Sequence, residues 1–437
     1  MFPDTGDRRI ASGIVVVACF VIAAKVIAAL KEMAIASAFG VGAAVDAYLL
    51  AFTVATWAPA TVSSAMTAVL VPALVQLATA PEQVRRTFVS ELMGMTLVAS
   101  LPLTALTALG LFLLDRWLSG TSADASRNVL DAATWWFLPL GALTLFAGVA
   151  SLRVMANGGH ANTMLEGAPA LVLLLAVLLF AAPLGPMVLL VGTTVGAIVH
   201  VAALKLALRD GPLLYGMRFK VASPAWKAIA FGGITMAIGQ LVNSLATPLD
   251  QYFAVRSGEG AVSALGYASR VAALFIGIGA TALWRATLPV LSEMSAHRLA
   301  PQLWRLAWRW GLGVLLVGIV ACVIVGIAAE WIIALLFERG AFTERDTSAV
   351  ASILRILAFQ FPFFFGGMVF VSYLAVRHAY RDVMLAACIA LIAKAVVLMI
   401  VGAKLGAVGV AASTVVMYAA SFFCLMFFGI RRSRAVQ

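Results

Sequence analysis

The sequence has little of what a soluble enzyme is built from. Only 11% of its 437 residues are charged, and no more than 19 are acidic. The stretch Gly-x-x-x-x-Gly-Lys-Ser/Thr does not occur, which excludes a P-loop and with it ATP hydrolysis of that type. The four histidines (His160, His200, His297, His378) are scattered, so no metal or haem centre is expected. The four cysteines (Cys19, Cys322, Cys388, Cys424) lie in apolar runs without the spacing of a metal site or disulfide framework, and read as small hydrophobes. Nothing resembles a selectivity filter. No carboxylate pair or cluster supplies the acid and base that an enzyme acting on a lipid-linked sugar would need.

What is present is apolar: 63% of residues are hydrophobic and the mean hydropathy is +1.04. Soluble chains are about half apolar and about a quarter charged, so the excess must face lipid. The first apolar run starts at Ile10 and passes Leu30 without a small-residue cleavage site, which reads as a spanning helix and not as a signal peptide. A helix needs roughly 20 apolar residues to cross the hydrocarbon layer. Runs of that kind predict about twelve spans: 10–37, 43–77, 88–114, 132–152, 163–181, 187–208, 228–249, 261–290, 310–337, 347–376, 383–401 and 407–430. Bends are expected at Pro59, with extensions toward Pro72 and Pro289. The fold class expected is an all-α polytopic membrane protein.

The formal charge of +11 is spread in short clusters between spans, a pattern that orients a membrane protein and does not form a nucleic-acid face. Eighteen of the 30 Lys and Arg, among them Arg8, Arg9, Arg85, Arg86, Arg218, Lys220, Arg431 and Arg432, fall at the termini and in alternate loops. The other loops hold six: Arg116, Arg127, Arg256, Arg339, Arg345 and Lys404. An even span count with this asymmetry places both termini in the cytoplasm. The polar stretch containing Arg209-Asp210-Gly211-Pro212 divides the spans six and six. The expected domains are therefore a lobe at 1–208, a cytoplasmic linker at 209–227 and a lobe at 228–437. A faint internal repeat supports the division: Gly42 precedes Pro72 by 30 residues, and Gly260 precedes Pro289 by 29.

A charge at membrane depth costs ~3 kcal/mol unless it snorkels or lines a wet cavity, so such charges mark candidate sites. Six basic residues qualify: Lys25, Lys31, Arg270, Arg285, Arg355 and Lys394. Lys25 and Glu32, seven apart, share a helix face, and Lys31 lies on a flank of it. Asp46 opens the second span, where it can cap the helix or counter the lysines. Arg270, in Gly266-Tyr267-Ala268-Ser269-Arg270, offers a planar fork to a phosphate, with Tyr267 and Ser269 as neighbouring donors; bracing of helix carbonyls is the alternative. Arg285, beside Trp284, reads as an interfacial anchor. Asn243, Asp250 and Gln251 are the polar groups of the seventh span, and Asp250 is a candidate partner of Arg270. Lys394 requires a cavity or a carboxylate. Glu32, Asp46 and Asp250 all lie near predicted span ends.

Lys25-Val26-Ile27 through Lys31-Glu32, Ala38-Phe39-Gly40 and Val45-Asp46-Ala47-Tyr48 together resemble the opening of the MurJ/MviN family. The resemblance continues at Met155-Ala156-Asn157-Gly158-Gly159, Gly260 to Leu265, Tyr267 to Arg270, Leu288-Pro289 and Leu336 to Thr343. It implies a transporter fold of the multidrug/oligosaccharidyl-lipid/polysaccharide exporter superfamily, with two six-helix lobes. The implied activity is outward flipping of a polyprenyl-diphosphate-linked peptidoglycan precursor, without covalent chemistry and without a cofactor, driven by the membrane potential or an ion gradient. The resemblance also implies a candidate substrate-binding set: Lys25, Lys31, Glu32, Asp46, Asn243, Asp250, Ser263, Tyr267 and Arg270. Lys25, Lys31 and Arg270 would hold the diphosphate. The family usually has arginine at the first two positions, a further cation near Pro59-Ala60, and two more C-terminal helices after the twelfth. These departures keep three alternatives open: an exopolysaccharide or O-antigen type flippase, a cation-coupled multidrug antiporter, and a non-transporting partner of envelope-assembly proteins. The partners expected are the glycan lipid, membrane lipids and envelope-assembly proteins, and not nucleic acid.

Overall fold

The computed structural model describes residues 4–77, 81–118, 124–156, 161–208, 216–220, 222–223, 226, 238–296, 300–377 and 379–434. These are almost wholly helical, with no strand among them. The chain divides into two compact units: unit 1 is Met1–Phe39 with Ala43–Gln240, and unit 2 is Gly40–Gly42 with Leu241–Gln437.

Unit 1 holds α1 (Asp4–Phe39), α2 (Ala43–Leu77), α3 (Glu82–Leu118), α4 (Asp124–Trp136), α5 (Leu140–Ala156), α6 (Ala161–Leu165), α7 (Ala168–Leu184) and α8 (Met187–Ala207). α2 continues as a helix through Pro59 and Pro72. The apolar run read as one span at 132–152 is broken: Ser126–Trp136 and Leu140–Met155 meet at 53°. Pro139 has no N–H to give to a continuing helix, and the chain turns there while burying Phe137 completely. Leu70 and Leu74 of α2, Phe88, Leu92 and Met93 of α3, Val149, Ala150, Leu152 and Val154 of α5 and Leu204 of α8 form one core. Met217 and Trp226, from the segment after α8, pack against it.

Unit 2 holds most of α9 (238–244) and all of α10 (Ala246–Val255), α11 (Ala261–Ala296), α12 (Ala300–Phe337), α13 (Glu344–Ala358), α14 (Gln360–Val376), α15 (Tyr380–Val397) and α16 (Ala403–Arg434). The predicted span 347–376 falls in one candidate span, Glu344–Val376, within which α13 and α14 meet at Phe359; Pro362 falls in the first turn of α14, where its missing N–H costs nothing. Thr343 and Asp346 close a capping box at the start of α13. A π-turn, Leu398–Gly402, and a non-helical Gly406 separate α15 from the body of α16. α12 shows what surrounds the protein: Leu316, Val320, Ile324, Ile327 and Trp331 recur at helical spacing and all are exposed. Side chains so placed would be misplaced in water and are at home in hydrocarbon.

One end of unit 2 is held by three turns. Tyr267 of α11 is fully buried between Phe337 and Phe342, with ring centroids 5.2 and 5.7 Å away, and its hydroxyl donates to the Gly40 carbonyl at 3.2 Å. Gly40 has φ +61, and a Cβ there would stand 2.6 Å from the Ala341 carbonyl oxygen. Gly260 has φ +82, and its Cβ would stand 2.7 Å from a Val41 methyl. Both turns therefore require glycine.

By length and composition, eight helices among the described residues can cross a membrane, nine if the bent pair counts as one span; α7 is a shorter apolar helix. The first predicted span lies within α1, and residues 228–237 of the seventh lie outside the described residues.

Candidate functional site

In unit 1 the candidate residues sit where α1 ends and α2 begins. Lys25 is exposed on α1 and has no ion-pair partner among the described residues. One and a half turns on, Lys31 contacts Glu32 at 2.6 Å, and Glu32 is buried. The two lysines are thus unequal, since Lys31 already has a carboxylate and Lys25 does not. Asp46 is buried in the first turn of α2, where a negative charge meets the positive end of the helix dipole. One turn beyond the start of α2, the Tyr48 hydroxyl lies 2.9 Å from Thr193 Oγ1, tying α2 to α8.

In unit 2, Arg270 is partly buried on α11 with its guanidinium carbon 6.0 Å from the Tyr267 ring centroid. Tyr267 therefore supports Arg270 through its ring face, while its hydroxyl is engaged by Gly40. Ser263 is likewise buried and donates to the Gly260 carbonyl at 3.1 Å. Ser269 is exposed, as is Asn243 on α9. The Tyr267 and Ser263 hydroxyls are thus both engaged by backbone carbonyls of the turns at Gly40 and Gly260.

Asp250 lies inside α10, and its partner is Lys394 of α15, whose ammonium stands 2.7 Å from Oδ1. The contact is an ion pair and not a well-aligned hydrogen bond. The same ammonium donates to Thr414 Oγ1 of α16 at 2.7 Å. Lys394 has no exposed side-chain surface, so the carboxylate that its sequence position required is present. Arg355, the other cation without an evident role, pairs with Glu330 at 2.9 Å. Arg285 lies among residues whose side chains are outside the described set.

Of the acids in apolar segments, Glu32, Asp46 and Asp250 were picked out from the sequence and Glu91 was not. Glu91, completely buried on α3, accepts from the backbone N–H groups of Ala222 and Ser223, both at 3.2 Å, and from Trp226 Nε1 at 2.8 Å. A lone carboxylate inside the apolar run Phe88 to Met93 was the available signal. Arg153, also fully buried, places Nη1 3.8 Å from Met93 Sδ. Among the described residues no group of three His, Cys, Asp or Glu is arranged to hold a metal ion.

The sequence profile of the family described as "Lipid II flippase MurJ" matches residues 35–437. A probable lipid II flippase MurJ of Rhizobium meliloti is 24% identical over 398 residues, covering 89% of this chain and 74% of that protein. A second, of Bdellovibrio bacteriovorus, is 30% identical over 167 residues, which is 38% of this chain and 32% of the relative. That match thus spans about a third of the relative's length, as does one to a Rhizobium tropici protein, at 32%. Among solved structures, a lipid II flippase MurJ in an inward closed conformation superposes with TM-score 0.80 at 17% identity, covering 95% of this chain and 87% of that one. An inward-facing multidrug resistance MATE transporter of the MOP superfamily gives 0.73 at 15% identity, covering 94% of each chain. These last two similarities establish a MOP-type transporter fold. With a family match that runs from the end of α1 to the last residue, the chain belongs to the MurJ lipid II flippase family, as a multi-pass protein of the bacterial inner membrane.

Proposed function

We propose that this protein moves a polyprenyl-diphosphate-linked cell-wall precursor of the lipid II type from the inner to the outer leaflet. The observation that carries the reading is the family match over 35–437. The chemistry fits it. A diphosphate needs cations at membrane depth that are not already neutralised, and Lys25 is exposed without an ion-pair partner among the described residues. Arg270 supplies a fork whose geometry suits two phosphate oxygens. The glycan would cross in a wet cavity while the polyprenyl chain stays in lipid, with the two units alternately opening the site to each face. Both termini face the cytoplasm in this reading, following the phase of the basic loops. An anion leaving a cell whose interior is negative gains ~2.3 kcal/mol per charge per 100 mV, which can bias transport without ATP.

The test is a flipping assay in vesicles, with a lipid II-type substrate and an exopolysaccharide-type polyprenyl diphosphate offered in parallel. Outward movement of the first, faster with the potential negative on the cytoplasmic face, is the expected result. Movement of only the second would replace the substrate assignment. Movement of neither by folded protein would overturn the reading.

A further inference from the structure

The segment after α8 is bonded to α3 at several points. Glu91, with no exposed surface, receives three donors from it: Ala222 N and Ser223 N at 3.2 Å and Trp226 Nε1 at 2.8 Å. The Arg218 N–H donates to the Ser90 carbonyl at 3.0 Å. The Trp226 ring lies 4.9 Å from Phe88, and Met217 and Trp226 both pack on the core of unit 1. Gly94 makes the approach possible, since a Cβ there would stand 2.1 Å from the Arg218 carbonyl oxygen. A buried carboxylate is costly unless its oxygens are satisfied, and here the satisfying groups all come from one segment. That segment joins the body of unit 1 to α9, within which unit 2 begins.

We propose that Glu91 is a latch: its carboxylate decides whether the stretch carrying Arg218, Ala222, Ser223 and Trp226 stays docked on α3 or opens away from it. The three donors converge on one buried acceptor, so removing that acceptor releases the stretch, whatever the protein transports.

Trypsin reads the latch directly. The side chains of Arg218 and Lys220 are exposed, so protection of the bonds after them depends on the backbone being held. When opening is fast relative to cleavage, the cleavage rate follows the population of the open form. Full-length protein in nanodiscs is digested and the fragments are assigned by mass spectrometry. Glu91→Ala is expected to speed cleavage after Arg218 and Lys220 by about tenfold or more. Glu91→Gln keeps the size and one acceptor, and Trp226→Phe keeps the ring and loses the donor; each should speed it by about three- to fivefold. Adding Trp226→Phe to Glu91→Ala should change nothing further, because the acceptor has already gone. Wild-type cleavage rates in a Glu91→Ala protein with an unchanged melting temperature would overturn the proposal, as would equal acceleration by Trp226→Phe with and without Glu91. If Glu91→Ala does not fold, the Gln and Phe variants decide, and wild-type rates in both would overturn it.

Discussion

Replacing either member of the Asp250–Lys394 pair should destabilise the protein, and the two losses should differ in a way the structure dictates. Removing one partner of a buried ion pair costs about 3–5 kcal/mol, mostly because the remaining charge is left uncompensated. Lys394 has no exposed side-chain surface, whereas Asp250 keeps 20%. Asp250→Asn therefore strands an ammonium with Thr414 as its known remaining acceptor, and should cost about 3–4 kcal/mol; the lower part of the range applies because a membrane-embedded unfolded chain also finds partners. Lys394→Met strands a carboxylate that is less completely enclosed than the ammonium, and should cost about 2 kcal/mol. The double variant removes both charges and leaves groups of similar size. It should lose no more than about 2 kcal/mol, giving a coupling of at least about 3 kcal/mol. Reversible unfolding in mixed micelles, run on the four proteins, measures this cycle. Losses that add to within about 0.5 kcal/mol would refute the pairing. A larger loss in Lys394→Met than in Asp250→Asn would refute the argument from exposure.

Four further outcomes are expected. Arg270→Lys should keep the charge yet weaken binding of a polyprenyl diphosphate, and Arg270→Ala should weaken it by about 10- to 100-fold, since charge-assisted hydrogen bonds contribute about 1.5–3 kcal/mol; normal affinity in well-folded Arg270→Ala would return the anion site to α1 alone. Lys25→Arg should be tolerated and Lys25→Glu should abolish binding in a salt-dependent manner, measured by affinity at several ionic strengths; a tolerated Lys25→Glu would remove Lys25 from the site. Cysteines placed near Arg85 and Arg431 should label from the cytoplasm, and those near Asp124 and Glu344 from outside; labelling of the Arg85 and Asp124 loops from the same side would sink the orientation. Gly40→Ala should lower stability by about 1–3 kcal/mol through left-handed strain alone, with the Ala341 carbonyl adding to it, and an unchanged melting curve would contradict the packing described.

The span pattern was legible because lipid demands it: an apolar run long enough to cross hydrocarbon has few other uses. The interruptions were harder to read. Pro139 sits in a run that remains apolar through the break, and hydropathy does not change when a helix bends. Lys394 could be read as needing a carboxylate, because a buried ammonium must be compensated. Its partner could not be named, since Asp250 is 144 positions away in the sequence and looked like the end of a span. Tyr267 was read as a donor to a ligand, and the structure gives its hydroxyl to Gly40, a residue of a different turn. Glu91 could be noticed as a lone acid in an apolar run, but its role could not be read, because its donors come from a polar segment more than a hundred residues later.

The turns at Gly40 and Gly260 also bear on how distant relatives can be recognised. At 24% identity to the Rhizobium meliloti protein, most positions in such an alignment carry little information. Lysine and arginine can exchange while a cavity keeps its charge, and leucine, isoleucine and valine can exchange while a core keeps its volume. A turn in which the first added carbon would meet a carbonyl or a methyl group at under 3 Å permits no such exchange. A sequence that keeps glycine at both places has kept the turns that hold the 40–42 link against unit 2, whatever has happened to its cations. One that has lost either glycine must have rebuilt that end of the molecule. The two glycines are therefore a sharper filter than the charges for deciding which diverged sequences share this architecture, and they can be applied before any substrate is known.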